Sequence, residues 1–297
     1  MKIVLTGSTG HISKPLATDL FAKGHSVTVI SSKADKQAEI EVIGAKAAIG
    51  SVADSAFLSK TFSGADIVYL MEPPFNFFDQ SADPEAYWLS IAESYRQAVE
   101  QAGVTRLVHL SSIGAHTDKG VGMLATHHKV EQVLNKLPES VSIKTMRPVG
   151  FFYNMFAFIP AIKATGAIIQ NYGGKEREPW VSPLDIADTI SEEMEKPFAG
   201  RSLRYIASEE LSPDEVAVIL GEAIGKPDLT WNVISDEQFR DNLLKAGFHP
   251  QAAEGLTEMN AARRGGMVYE DYFKHRPTLG KVKLASFAKE FAKAYHS

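Results

Sequence analysis

Six short apolar runs alternate with amphipathic stretches through the first half of the chain, and this rhythm restricts the fold more than any other feature. The runs are KIVLTG from Lys2, SVTVISS from Ser26, KAAIG from Lys46, ADIVYLM from Ala65, RLVHLSS from Arg106 and SIKTMRP from Ser142. Between them, helical patterns cover Pro15–Lys23, closing at Gly24, then the neighbourhoods of Asp35–Ile43 and Asp54–Phe62. Two more cover Pro84–Ala102, stopped by Gly103, and Met123–Leu137. Strand runs separated by helices imply parallel strands joined by crossover connections. Near-continuous hydrophobicity within each run is what strands show when helices cover both sheet faces. The expected fold class is α/β, a doubly wound (Rossmann) parallel sheet with a smaller, mostly helical C-terminal substrate region.

The rhythm changes after Pro148. FFYNMFAFIPAIK is a hydrophobic segment, TGAIIQNYGGKE a loop with a short strand, and PWVSPLDIADTISEEMEK a strand end leading into a helix. SLRYIAS reads as a strand and LSPDEVAVILGEAIGK as a helix, with Ser212 as N-cap and Pro213 at its first position. Beyond Asp228 the pattern is mostly helical to the end. The expected division is a nucleotide-binding core over 1–150 and a cap or substrate region over 151–297, some of whose segments return to the core.

Composition removes several function classes. No cysteine occurs among the 297 residues, which excludes disulfides, thiolate nucleophiles and Cys-based metal sites. A net charge of −5 gives no long-range attraction to nucleic acid or an anionic membrane. The longest apolar run, residues 149–162, is broken by Asn154 and Pro160 and falls short of a membrane span. The start of the chain is too short in apolar residues for a signal-peptide core. The expectation is a soluble, cytoplasmic protein. No H-E-x-x-H, G-x-S-x-G or metal-type carboxylate cluster is present, so no metal is expected.

The first strand runs into LTGSTGHIS, residues 5–13. Gly7 and Gly10 stand three apart, and Ser13 takes the place of a third glycine. A strand feeding glycines and then a helix gathers backbone N–H groups at a positive helix end, a ready site for a pyrophosphate. Gly7 permits the tight turn and Gly10 the close approach of phosphates. A small serine is a modest change at the position that serves helix–strand packing. Gly7, Ser8, Thr9, Gly10, His11 and Ile12 are therefore expected to touch a dinucleotide.

The glycine spacing resembles that of extended and atypical short-chain dehydrogenases/reductases, and further segments narrow the likeness. RLVHLSSIGA (106–115) resembles the superfamily's fifth strand with its serine pair Ser111–Ser112. MRPVGFFYNM (146–155) resembles the R-P-x-x-F-x-x-N segment of the NmrA-like branch. EPWVSPLDIADTI (178–190) and LSPDEVAVILGEAIGKP (211–227) resemble that branch's strand before D-I-A and its C-terminal helix. The likeness covers nearly the whole chain. It implies a relation to NAD(P)H-dependent quinone, azo-dye and triphenylmethane reductases and to redox-sensing regulators.

NADP(H) is favoured over NAD(H). In NAD-preferring folds an acid near the end of the second strand takes the ribose 2′-hydroxyl. Here Ser31, Ser32 and Lys33 stand there, and no acid precedes Asp35. An arginine is common among the family's NADP binders about where Ser32 lies, and an aspartate where Ser51 lies, so both positions depart from the pattern. Lys14 and His11 can add positive charge beside the glycines; a plain loop role is open for His11, and a solvated one for Lys33. By the resemblance, Met71, Glu72, Pro73, Ser111 and Phe151 also border the cofactor, and Lys129 holds the nicotinamide ribose. Lys129 is the lysine of a Tyr-x-x-x-Lys pattern whose tyrosine position is Ala125. An alanine donates no proton, which argues against alcohol dehydrogenase chemistry. Delivery of a hydride to a quinone, azo group or conjugated cation gives a far more stabilised product, and water can protonate it. No catalytic residue is assigned; Lys129 and His127 are the candidates, with a helix-surface role open for Lys129 and a helix-surface or packing role open for His127. His127 and His128 are about 100° apart around a helix and cannot ligate one metal together.

Aromatic residues follow the fourth and sixth strands at the carboxyl edge, where such sheets bind ligands. Phe75, Phe77 and Phe78 follow Pro73 and Pro74; Phe152, Tyr153 and Asn154 follow Phe151. A core position is the alternative for each ring. Phe75, Phe77, Phe152, Tyr153 and Asn154 are the expected pocket, shaped for a small aromatic substrate. The functional expectation is NADPH-dependent reduction of quinone-like or other conjugated aromatic acceptors. Its rival is a non-catalytic redox sensor that acts through a protein partner.

Overall fold

A computed structural model describes all residues, Met1–Ser297. The first half builds β1 (Lys2–Leu5), α1 (Ser13–Ala22), β2 (Ser26–Ser31), α2 (Gln37–Val42), β3 (Lys46–Ile49), α3 (Ser55–Phe62), β4 (Ile67–Met71), α4 (Pro84–Ala102), β5 (Arg106–Leu110), α5 (Ala125–Leu134) and β6 (Ser142–Pro148). All six expected strands form. A seventh, β10 (Arg201–Ile206), joins them in the order β10-β6-β5-β4-β1-β2-β3, and every pairing is parallel. The order reverses between β1 and β4. That is the switch point at which doubly wound sheets bind ligands.

Alternation along the central strands divides the interior between the two sheet faces. Leu5, Tyr69 and Val108 face one cluster with Leu16 and Leu20 of α1, while Val4, Val68 and Leu70 face another with Ile91 and Tyr95 of α4. The caps follow the sequence logic. Asp54 and Asp83 accept from helix amides at the starts of α3 and α4. Gly103 closes α4 in the left-handed conformation.

The second half contributes β7 (Gly150–Phe151), α6 (Ile159–Thr165), β8 (Ala167–Gln170), β9 (Glu178–Val181), α7 (Pro183–Glu195), β10, β11 (Glu209–Leu211), α8 (Pro213–Ala223), β12 (Thr230–Val233), α9 (Asp236–Lys245), α10 (Pro250–Arg264), α11 (Glu270–Lys274) and α12 (Leu284–His296). Ser212 caps α8 through a full capping box with Glu215, as its spacing implies. The stretch after Asp228 is mostly helical, as expected, with one strand the sequence did not mark: β12 pairs with β8 in a separate two-stranded ribbon. Only Trp231 of its four residues is buried, so the apolar alternation that marks a strand is missing.

Asp185, from the D-I-A segment, is a structural anchor. Its buried carboxylate accepts from Ser208 Oγ at 2.5 Å and from the amides of Lys281 and Val282 at 3.1 and 3.0 Å. The chain before α12 is thereby pinned to the second half. A third cluster joins Phe152, Trp180 and Trp231 to Phe287 and Phe291 of α12. Helix α10 lies close against the turn before α5: a Cβ on Gly122, where φ is +58°, would run into the backbone of Gly255 and Met259. No helix is long and apolar enough to cross a membrane.

Candidate active site

The corner after β1 has the shape its glycines demand. Gly7 sits at φ +90°, and a Cβ there would collide with Met71 Sδ and Ser13 Oγ. Ser8 follows at φ +54°, an uncommon conformation for a residue with a side chain. It is held there from both ends: its amide donates to Ile30 O at 3.1 Å and its hydroxyl to Ser31 Oγ at 2.9 Å. Ser13 is buried and donates to Thr6 O at 2.9 Å. The serine in the third glycine's place thus fastens α1 to β1. The amides of Thr9, His11 and Ile12 donate to no backbone carbonyl. Free amides at the start of a ten-residue helix fit a diphosphate.

The rim of this corner carries charge that single residues of the sequence do not disclose. Glu39 of α2 accepts from Thr9 Oγ1 at 2.9 Å, Lys14 Nζ at 2.8 Å and Lys36 Nζ at 2.8 Å. These donors hold its carboxyl down at about 2. Ser32 and Lys33 are exposed, and the Lys33 amide donates to Ser31 Oγ at 3.2 Å.

At the ends of β4 and β5 lies a buried ion pair. His109 Nε2 and Glu72 Oε2 are 3.2 Å apart, with side chains 1% and 3% exposed. Burial pushes the Glu72 carboxyl up, but His109 more than offsets this and the group lies below its ordinary range. Burial likewise lowers His109, and the attraction of Glu72 outweighs it, so the imidazole is raised. His127 of α5 is lowered by burial and packs on Trp88, ring centroids 6.0 Å apart. Trp88 Nε1 donates to Pro73 O at 2.9 Å and Tyr95 OH to Met71 O at 2.6 Å, which fixes the chain leaving β4.

Two expected cofactor contacts are occupied within the protein. Lys129 Nζ pairs with Glu85 at 2.7 Å. Ser111 donates to Glu131 at 2.5 Å, inside a buried network in which Arg147 holds Glu131 at 2.9 and 2.7 Å. Ala125 begins α5, so no side-chain acid stands one turn before Lys129.

The aromatic residues form two groups rather than one slot. Phe75 is buried against Phe77, Tyr87 and Trp88, and Phe77 stacks on Phe248 from the α9–α10 connection. Phe78 is 56% exposed and meets the same Phe248 ring. In the second group, Phe152 is fully buried and stacks on Phe287; its ring belongs to the core, not to an open cleft. The turn begun at β7 sends that side chain inward and Tyr153 outward. Tyr153 lies over His11 of the glycine corner, centroids 3.9 Å apart. Asn154 is exposed and Phe151 half-buried against the core. Glu39, Tyr87, Trp88, His109 and Phe248 are site neighbours that the sequence reading did not include.

Residues 1–282 match the sequence model of the NmrA-like family. The chain belongs to the NmrA-like family. Among curated proteins it is similar to an NAD(P)H azoreductase of Xenophilus azovorans, 24% identical over 261 residues, spanning 87% of this chain and 86% of that protein. Two solved structures share the fold of this NmrA-like chain. A triphenylmethane reductase of Citrobacter sp., complexed with NADP(H), superposes with a TM-score of 0.75 at 19% identity, covering 99% of this chain and all of that one. An NADPH-dependent quinone oxidoreductase of Escherichia coli, complexed with NADPH, gives 0.77 at 19% identity, covering 97% and 99%.

Proposed function

We propose that this NmrA-like protein is an NAD(P)H-dependent oxidoreductase, with NADPH favoured, that reduces quinone-like, azo or other conjugated aromatic acceptors. The observation that carries the reading is the glycine corner. It offers free amides at a helix start, beside a sheet edge bordered by aromatic rings and a buried ion pair. When bound, the reduced nicotinamide supplies a hydride to an electron-poor acceptor. The protein's own residues bind, orient and shield. Gly7, Ser8, Thr9, Gly10, His11 and Ile12 hold the diphosphate, while Lys33, with no acid beside Ser31 and Ser32, suits a 2′-phosphate. Met71, Glu72, Pro73 and Phe151 border the nicotinamide side. Phe75, Phe77, Tyr153 and Asn154 flank the acceptor. In this reading residues 1–150 hold the nucleotide and 151–297 shape the acceptor side. Reduced quinones and azo groups need no alkoxide-stabilising acid, so Ala125 in the tyrosine's place is compatible with turnover. The names of the azoreductase, the triphenylmethane reductase and the quinone oxidoreductase support this acceptor class.

A second reading has its own observation. Lys129 and Ser111 are both engaged inside the protein, by Glu85 and Glu131, which suits a nucleotide sensor without turnover. Purified protein mixed with NADPH or NADH and a panel of quinones, azo dyes and triphenylmethane dyes separates the two. Acceptor-dependent nucleotide oxidation is expected. Tight nucleotide binding with no oxidation by any acceptor, and different affinities for oxidised and reduced forms, would replace the enzyme by the sensor.

A further inference from the structure

We infer that Glu39 sets the discrimination between the two nicotinamide dinucleotides by acting as a built-in anion in the place where a 2′-phosphate would sit. The inference rests on the reading of the glycine corner as an NAD(P)H site. Three donors from three segments converge on this one carboxylate: Thr9 from the glycine corner, Lys14 from the first turn of α1, and Lys36 from the turn before α2. The hydrogen bond between Ser8 and Ser31 ties that corner to the end of β2, where dinucleotide folds place the adenosine ribose and read its 2′-substituent. The end of β2 itself bears no acid. The carboxylate reaches from α2 to Thr9 of the corner, which the Ser8–Ser31 bond joins to that strand end.

Charge makes the consequence specific. Lys14 and Lys36 are the lysines bonded at this rim, and a single negative charge already engages both. Glu39 keeps about a third of its side chain exposed, Lys36 slightly more and Lys14 about half, so the pairs are solvent-screened and open to rearrangement. A phosphate monoester carries more negative charge than a carboxylate and offers more acceptor oxygens. It can therefore recruit the lysines, but must first turn Glu39 away and then tolerate it nearby. NADH has only a hydroxyl at this position and meets neither demand. Glu39 thus weakens NADPH selectively, and the lysines it releases join Lys33 in holding the 2′-phosphate.

Glu39→Gln keeps an acceptor for Thr9 and the lysines while removing the charge. Titration of the reduced nucleotides at low ionic strength should show NADPH binding strengthened about tenfold, with NADH changed less than about twofold. The gain should shrink at high salt, because exposed charges are screened there. Lys36→Met should act in the opposite direction, weakening NADPH and sparing NADH. An unchanged NADPH/NADH ratio in both variants, or equal weakening of both nucleotides, would make Glu39 a mere fastener of the loop and overturn the inference. Wild-type protein that binds neither nucleotide would instead remove the cofactor reading on which it stands. Melting curves of the variants, expected near that of the wild type, separate these results from loss of fold.

Discussion

The glycine corner and the aromatic edge occupy the same end of the sheet, yet different forces shape them. The corner is built mostly from its own short turn, with a positive φ at Gly7 and Ser13 bonded back to Thr6, and is steadied by the adjacent strand, where Ile30 and Ser31 hold Ser8. The edge is built from partners far away. Phe77 meets Phe248, and Phe152 meets Phe287. Local backbone geometry is specified by the residues that adopt it, whereas the direction of an aromatic ring depends on which distant surface arrives to cover it. Mutations in the two regions should accordingly damage different properties.

The largest effect is expected at the corner. Gly10 has only the Gly7 carbonyl near the position of a Cβ, so a larger side chain projects into the space over the free amides. Gly10→Trp should lower NADPH affinity by at least about a hundredfold while costing no more than about 1–2 kcal/mol of stability. Calorimetric titration beside thermal melting tests both halves. Affinity left intact would mean that the corner holds no dinucleotide.

Phe152→Ala should do the reverse. Its ring is fully enclosed with Phe287, and truncating such a ring costs about 3–5 kcal/mol. NADPH affinity should stay within about twofold, since affinity differences smaller than about 0.4 kcal/mol fall in that range. A variant of normal stability with a raised KM for the acceptor would show that the ring faces a pocket after all, erasing the contrast between the regions.

The contrast also explains what the sequence disclosed. The six parallel strands, the helix caps at Asp54, Asp83 and Ser212, and the turn at Gly7 each rest on patterns within a few residues. Other features have no local trace. Glu39 is one acid in a charged helix until folding sets three donors around it. Glu85 lies 44 residues from Lys129, and Phe248 comes from a connection that no cleft pattern marks. Strand β12 buries one residue of four, so the alternation that reveals a strand is absent. Phe152 and Tyr153 were equivalent as aromatic residues; only the packing of α12 separates them, burying one and leaving the other 41% exposed over His11.

A smaller effect should appear where the edge meets the second half. Phe248 packs between Phe77 and Phe78, and the amide of His249 donates to Phe77 O at 2.7 Å. Phe248→Ala should cost about 1–2 kcal/mol, the loss of two aromatic contacts on a half-buried ring. It should raise the acceptor KM several-fold and leave NADPH affinity alone. A matching loss of NADPH affinity would show that the two regions respond as one unit.

The finest distinction concerns the ion pair between them, and its signature is the change with pH. The His109 imidazole is raised in the folded protein, so its contribution to stability is complete below its unfolded value of about 6.5 and is lost as pH rises through the folded value. Glu72 is lowered, so its contribution is present above about 4.3 and is lost as pH falls through the folded value. The pair therefore stabilises most between about pH 4.5 and 6.5. Glu72→Gln leaves His109 buried without its carboxylate, and burial alone then disfavours the charged ring. The stability gap between wild type and variant should be about 1 kcal/mol larger at pH 5.5 than at pH 8.5. Denaturant titrations at the two pH values measure it. A gap that stays constant would mean that His109 is neutral throughout, joined to Glu72 by an ordinary hydrogen bond, and that no proton is kept under the site at neutral pH.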